Sequence, residues 1–117
     1  MKRGTIILTP FPFTDLSNSK VRPALIVSTD KRNDNDNDII IAFITSVTDA
    51  ESSPETNIYL NSNESYFKET GLKVSSIIRT DKLATINKKI ILGELGFLNT
   101  RLLNLVNEKL RIVLDIN

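Results

Sequence analysis

Val21-Arg22-Pro23-Ala24-Leu25-Ile26-Val27-Ser28 sets an arginine directly before a proline at the mouth of an apolar strand. Proline fixes its own φ, lacks an N–H and biases the preceding residue toward extended backbone, so the strand is expected to begin at or just after Arg22. The arginine side chain is then aimed by the strand. Upstream, Phe11-Pro12-Phe13-Thr14-Asp15 ends an earlier apolar segment, and its phenylalanines are expected to pack that strand's end. The loop from Asp15 to Lys20, with Ser17, Asn18 and Ser19, reads as a mobile cover beside the arginine. Taken alone, the motif fits a plain hairpin with a solvated arginine equally well.

Outward from this stretch, β-branched segments recur at about residues 4 to 9, 22 to 29, 38 to 45, 56 to 60, 74 to 80 and 89 to 95, divided by polar or glycine-bearing turns. Short strands at such spacing predict a small barrel or sandwich. The period then changes. Leu102, Leu103, Val106, Leu110, Val113 and Leu114 fall three and four residues apart, with Asn99 or Thr100 placed to cap the start, which predicts an amphipathic C-terminal helix. The fold class is α+β, mainly β. Neither repeats nor a linker divide the chain, so residues 1 to 117 are expected to form one domain.

Composition narrows the chemistry. With 40% hydrophobic and 25% charged residues the chain is globular in type. The longest apolar run, Ile39 to Ile44, is far too short to span a bilayer, and Met1-Lys2-Arg3 leads into a strand with no signal-peptide core. A cytoplasmic protein is expected. There is no cysteine, which removes disulfides and thiol catalysis, and no histidine, which removes the usual acid, base and transition-metal ligand. No cofactor is expected. A net charge of +1 is too small to draw nucleic acid to the whole surface, so RNA binding would rest on a local cluster such as Lys20, Arg22 and Arg79.

Two tempting motifs fail. The run Asp30 to Asp38 alternates carboxylates like a calcium loop, but counted from Asp34 the glycine position holds Ile39 and the bidentate glutamate position holds Thr45. A solvated connection between strands is the expectation, and Thr48 to Thr56 reads as a second loop. Asn63-Glu64-Ser65 is a sequon without a secretion signal.

Gly4-Thr5-Ile6-Ile7-Leu8, the Phe-Pro-Phe-Thr-Asp loop and the Arg22-Pro23-Ala24 strand together resemble the MazF/PemK toxin ribonucleases of bacterial toxin-antitoxin pairs. Ile44-Thr45-Ser46 resembles that family's Ile-Thr-Ser element, and Gly71-Leu72 with Ser76 to Asp81 and Thr85-Ile86 resembles its later strand and the segment after it. The likeness spans nearly the whole chain in order. It implies an SH3-like barrel with a terminal helix, a homodimer, a cognate antitoxin partner and metal-independent cleavage of single-stranded mRNA. It also implies that Arg22 and Thr45 are catalytic. Arg79-Thr80-Asp81 matches an Arg-x-Asp element that contributes to the site in some PemK-type members, which makes Asp81 the candidate base. Those members add a histidine in the first loop, which this chain lacks.

The residues suit these roles on chemical grounds. When the 2′-hydroxyl of RNA attacks its own phosphorus, the phosphoryl oxygens gain charge, and a planar guanidinium presents forked donors to two of them. Thr45 could donate a further hydrogen bond. Lys20, Ser46, Arg79 and Phe13 are the candidate RNA-binding residues, with Phe13 or Tyr66 as a stacking platform for an unstacked base. Arg79 with Asp81 could equally be a surface ion pair. Two other functions fit the same fold: a toxin that binds DNA gyrase without cutting RNA, and a noncatalytic barrel for RNA or peptide.

Overall fold

A computed structural model describes residues 1–11, 20–47 and 54–117. Six strands form one antiparallel sheet: β1 (Thr5–Pro10), β2 (Val21–Ile26), β3 (Asp38–Ser46), β4 (Asn57–Leu60), β5 (Ser76–Asn87) and β6 (Gly93–Phe97), in the order β4-β5-β3-β2-β1-β6. Among the described residues three α-helices accompany them, α1 (Asp30–Asn35) and α2 (Phe67–Thr70) between strands and α3 (Thr100–Leu114) after the last. Every expected strand is present, and the mainly β curled sheet with a C-terminal helix agrees with the fold class read from sequence.

Alternation along the strands builds a core on each face of the sheet. Ile6, Leu25, Ala42, Ile44, Ile58 and Ile78 face α3, where Leu102 and Val106 are buried against them. Ile7, Ala24, Ile26, Ile41 and Phe43 occupy the opposite face and are covered by the chain curling back, with Ile86 and Ile91. Helix α3 begins as expected: the Asn99 side chain accepts from the Leu102 N–H at 2.9 Å. Arg3 pins the helix to the sheet, donating from Nη2 to Asn107 Oδ1 at 2.6 Å and from Nε to the Val27 carbonyl at 2.8 Å.

Three segments depart from their sequence reading: the strand expected at about residues 89 to 95 begins only at Gly93, because Lys88–Ile90 form a 3-10 turn capped by the Asn87 side chain. The Asp30 to Asp38 run is a strand connection, but its first part is the helix α1, capped by Thr29. Asn33 explains the difference. Its side chain is buried, donates to the Ser28 carbonyl at 3.1 Å and accepts from the Ser28 hydroxyl, a buried pairing that a solvated loop does not supply. Strand β5 also runs well past the expected residue 80. Its register with β3 passes from Phe43↔Arg79 to Ala42↔Leu83, so Thr80, Asp81 and Lys82 form a bulge. A polar interruption that reads as a strand end is therefore a bend within one strand.

Candidate active site at the end of the central ladder

The site arises where β2 and β3 stop pairing. Their paired register ends at Ala24↔Phe43, and two residues further out on each strand stand Arg22 and Thr45. Backbone hydrogen bonds explain the stop. Phe11 N–H donates to the Lys20 carbonyl at 2.7 Å and Val27 N–H to the Ile40 carbonyl at 2.9 Å, and antiparallel alternation between them turns the Arg22 peptide groups toward β1 and those of Pro23 toward β3. Pro23 has no N–H to give. The ladder ends at a proline, and a cavity of about 370 Å³ opens beside it.

Arg22, Thr45 and Ser46 all line this cavity, with Leu8, Leu72 and Leu95 among its apolar walls. Gly71 holds the wall containing Leu72: it has φ +71°, and a Cβ there would come within 2.0 Å of the Leu95 carbonyl oxygen. The Arg22 guanidinium carbon sits 5.6 Å from the centroid of the Phe11 ring, and Phe11 meets Phe43 edge to face at 4.9 Å. Thr45 Oγ1 donates to the Ser46 carbonyl at 3.2 Å, so the hydroxyl must rotate to serve a substrate.

Arg79 and Asp81 lie apart from the cavity lining. Arg79 is opposite Phe43 and buried, and it donates from Nε and Nη2 to the two Asp81 carboxylate oxygens at 2.8 Å each. This bidentate pair holds the Asp81 carboxyl below its ordinary range. A carboxylate so stabilised is a weaker base, and a buried guanidinium so engaged has little to offer a phosphate. Lys20 is exposed beside the site. Phe13 and most of the Asp15–Lys20 loop lie outside the described residues, as does most of the Thr48–Thr56 loop. Tyr66 is poorly placed as a platform, being half-buried with its hydroxyl accepting from the Asn61 N–H at 3.2 Å.

The model of the PemK-like, MazF-like toxins of type II toxin-antitoxin systems matches residues 2–114. The chain belongs to this family. Solved structures agree with the toxin's fold. One, an endoribonuclease in complex with its cognate antitoxin from Mycobacterial species, superposes with a TM-score of 0.78 at 19% identity, covering 100% of this chain and 97% of that one. A second mycobacterial endoribonuclease gives 0.74 at 21% identity, covering 99% and 92%. A MazE-MazF complex from Deinococcus radiodurans gives 0.76 at 19% identity, covering 100% and 98%. No curated protein matches the sequence.

Sequence reasoning missed the aromatic support under Arg22, treating Phe11 as packing alone, and it passed over Tyr59. The alternation Asn57-Ile58-Tyr59-Leu60, with Ile58 and Leu60 buried, was the available signal that Tyr59 points outward. No described helix is long and apolar enough to cross a membrane.

Proposed function

We propose that this toxin is a sequence-selective, metal-independent endoribonuclease that cleaves single-stranded mRNA and so arrests translation. The observation that carries the proposal is that Arg22 and Thr45 both border one cavity at the proline-terminated end of the β2–β3 ladder, with their side chains on the same face of the sheet. The Arg22 guanidinium binds the scissile phosphate and stabilises the charge that develops as the 2′-hydroxyl attacks phosphorus. Thr45 supplies a second hydrogen bond to the same oxygens. The products are a 2′,3′-cyclic phosphate and a 5′-hydroxyl. Lys20 and Ser46 contact the strand on either side, and Phe13 is retained as a candidate base contact.

Asp81 remains the candidate proton acceptor, ionised at neutral pH. Its pairing with Arg79 favours a second role, locking that arginine against Phe43 and so stiffening the floor under Phe11. Metal independence rests on the side chains: among the described residues no three carboxylates gather to hold a cation. The toxin works as a homodimer in the cytoplasm and is silenced by an antitoxin. The exposed Ile112, Leu114 and Ile116 beyond the packed part of α3 supply apolar surface for self-association.

Incubating defined single-stranded RNA with the purified protein in excess EDTA, on a denaturing gel, tests the reading. Cleavage with cyclic phosphate ends is expected. Activity lost on chelation and restored by magnesium would overturn the metal-free mechanism, and intact RNA would overturn the enzyme.

A further inference from the structure

One face of the sheet carries a row of side chains that runs outward from Arg22 and Thr45. Direct cross-strand partners share a face, so the pairs Thr9↔Arg22, Thr45↔Ile77 and Tyr59↔Ile77, with Arg22 and Thr45 each two residues beyond the last β2–β3 pair Ala24↔Phe43, put Thr9, Arg22, Thr45, Ile77 and Tyr59 on one face across β1, β2, β3, β5 and β4. The residues one step back, Ile7, Ala24, Phe43, Arg79 and Asn57, form the parallel row. Tyr59 is the outermost member of the first row and is 52% exposed on the edge strand. It stands three strands from Arg22, at least about 14 Å along the sheet by the usual strand spacing, because β2 and β3 no longer pair at this level.

Its surroundings identify what it could bind. Ile77 beside it is only 8% exposed, and the next row offers Asn57 and the Arg79–Asp81 pair. Among the described residues at this edge of the sheet Tyr59 is a single exposed aromatic ring, over a small apolar floor with polar neighbours, a poor centre for a protein interface, which needs a contiguous desolvated patch. It matches a platform on which one unstacked base lies, since every base has a π-face and the flanking polar groups can meet its edge or the backbone.

We infer that Tyr59 forms a nucleobase subsite: a base a few nucleotides from the scissile phosphate stacks on its ring while that phosphate sits at Arg22. The inference rests on the ribonuclease reading for its direction along the sheet. Stacking on Tyr59 itself can be measured without cleavage.

The probe is a fluorescein-labelled single-stranded 2′-O-methyl RNA, whose blocked 2′ oxygens cannot attack phosphorus, with affinity followed by anisotropy. Tyr59→Ala should weaken binding about 5- to 150-fold, the range found when a stacking aromatic is truncated, and Tyr59→Leu should behave like it. Tyr59→Phe should bind as the parent does. Light scattering on each variant should show the parent's oligomeric state. Unchanged affinity in Tyr59→Ala would overturn the subsite, as would equal losses in Tyr59→Phe and Tyr59→Ala, which would indicate a hydroxyl contact. Dissociation of Tyr59→Ala into monomers would assign the ring to a second copy of the chain. If the parent fails to cut unmodified RNA yet binds the probe through Tyr59, the enzyme reading falls and the subsite stands.

Discussion

Arg22 lies over Phe11, its guanidinium carbon 5.6 Å from the ring centroid, while Phe11 is braced edge to face on Phe43. The arrangement ties a charged group at the mouth of a cavity to the apolar core of the sheet. A guanidinium on a long stem loses much rotamer entropy when fixed, and a ring beneath it supplies part of that ordering before substrate arrives. Phe11 is itself held by its N–H on the Lys20 carbonyl, which closes the first loop at its base.

If Arg22 acts on the phosphate, Arg22→Ala should reduce cleavage by at least about 10²- to 10³-fold, the usual loss when one preorganised donor to a developing oxyanion is removed. Phe11→Leu should cost less, about tenfold, and mainly in kcat, because the guanidinium remains but is less well held. Single-turnover cleavage checks the first. The NMR shift of the Arg22 Nε–H checks the second, since the ring current of Phe11 should vanish in Phe11→Leu.

If the Thr45 hydroxyl serves a substrate oxygen, Thr45→Ala should lower cleavage by about tenfold or more with little change in thermal stability, since among the described residues its resting partner is the Ser46 carbonyl. Thr45→Ser should recover most of the rate. Equal losses in both variants would mean that the β-branched methyl, and not the hydroxyl, matters.

Much of this arrangement was legible in the sequence, and the parts that were not share a cause. The alternation of apolar residues places the strands, and the three- and four-residue spacing from Leu102 to Leu114 places α3, because burial on one face leaves a periodic trace. Arg22 and Thr45 stood out through their motifs. The extent of β5 did not, since the bulge at Thr80 to Lys82 is polar and mimics a strand end. Helix α1 depends on Asn33 reaching Ser28, a contact whose burial composition cannot reveal. The row from Arg22 to Tyr59 requires the register of four strands, which no local pattern encodes.

Asp81 supplies a pH test. Its carboxyl is held below the ordinary value by the Arg79 guanidinium, so folded protein binds the proton less readily than unfolded chain. The pair therefore contributes stability above the unfolded carboxylate range near pH 4. That contribution is lost as pH falls through the lower, folded value. Thermal melts of Asp81→Asn should lie below the parent at pH 7 and converge with it in acid. Because Asp81 is already ionised across neutral pH, the parent's rate between pH 6 and 8 should show no step from this group. A parent profile with a carboxylate step in that window, absent in Asp81→Asn, would show that the Arg79 pairing does not keep Asp81 ionised there.

Pro23 gives the most direct test of why the cavity exists. Its ring nitrogen faces β3, where any other residue type at this position would donate an N–H toward the Ile44 backbone and carry the ladder one step further. Pro23→Ala introduces that donor. The new bond would draw β3 toward β2 beside Arg22 and Thr45 and narrow the 370 Å³ space between their walls. Two effects on stability oppose one another: the added hydrogen bond contributes, while loss of proline loosens the unfolded chain by about 0.4–1 kcal/mol, so the melting temperature should shift by only a few degrees. Cleavage should nevertheless fall by about tenfold, because catalytic groups displaced by even a fraction of a strand spacing lose alignment with phosphorus. Hydrogen exchange decides the cause. The amide introduced at position 23 should be protected, together with slower exchange at Ile44; a freely exchanging amide with undiminished cleavage would show that the ladder ends for a reason other than the missing N–H.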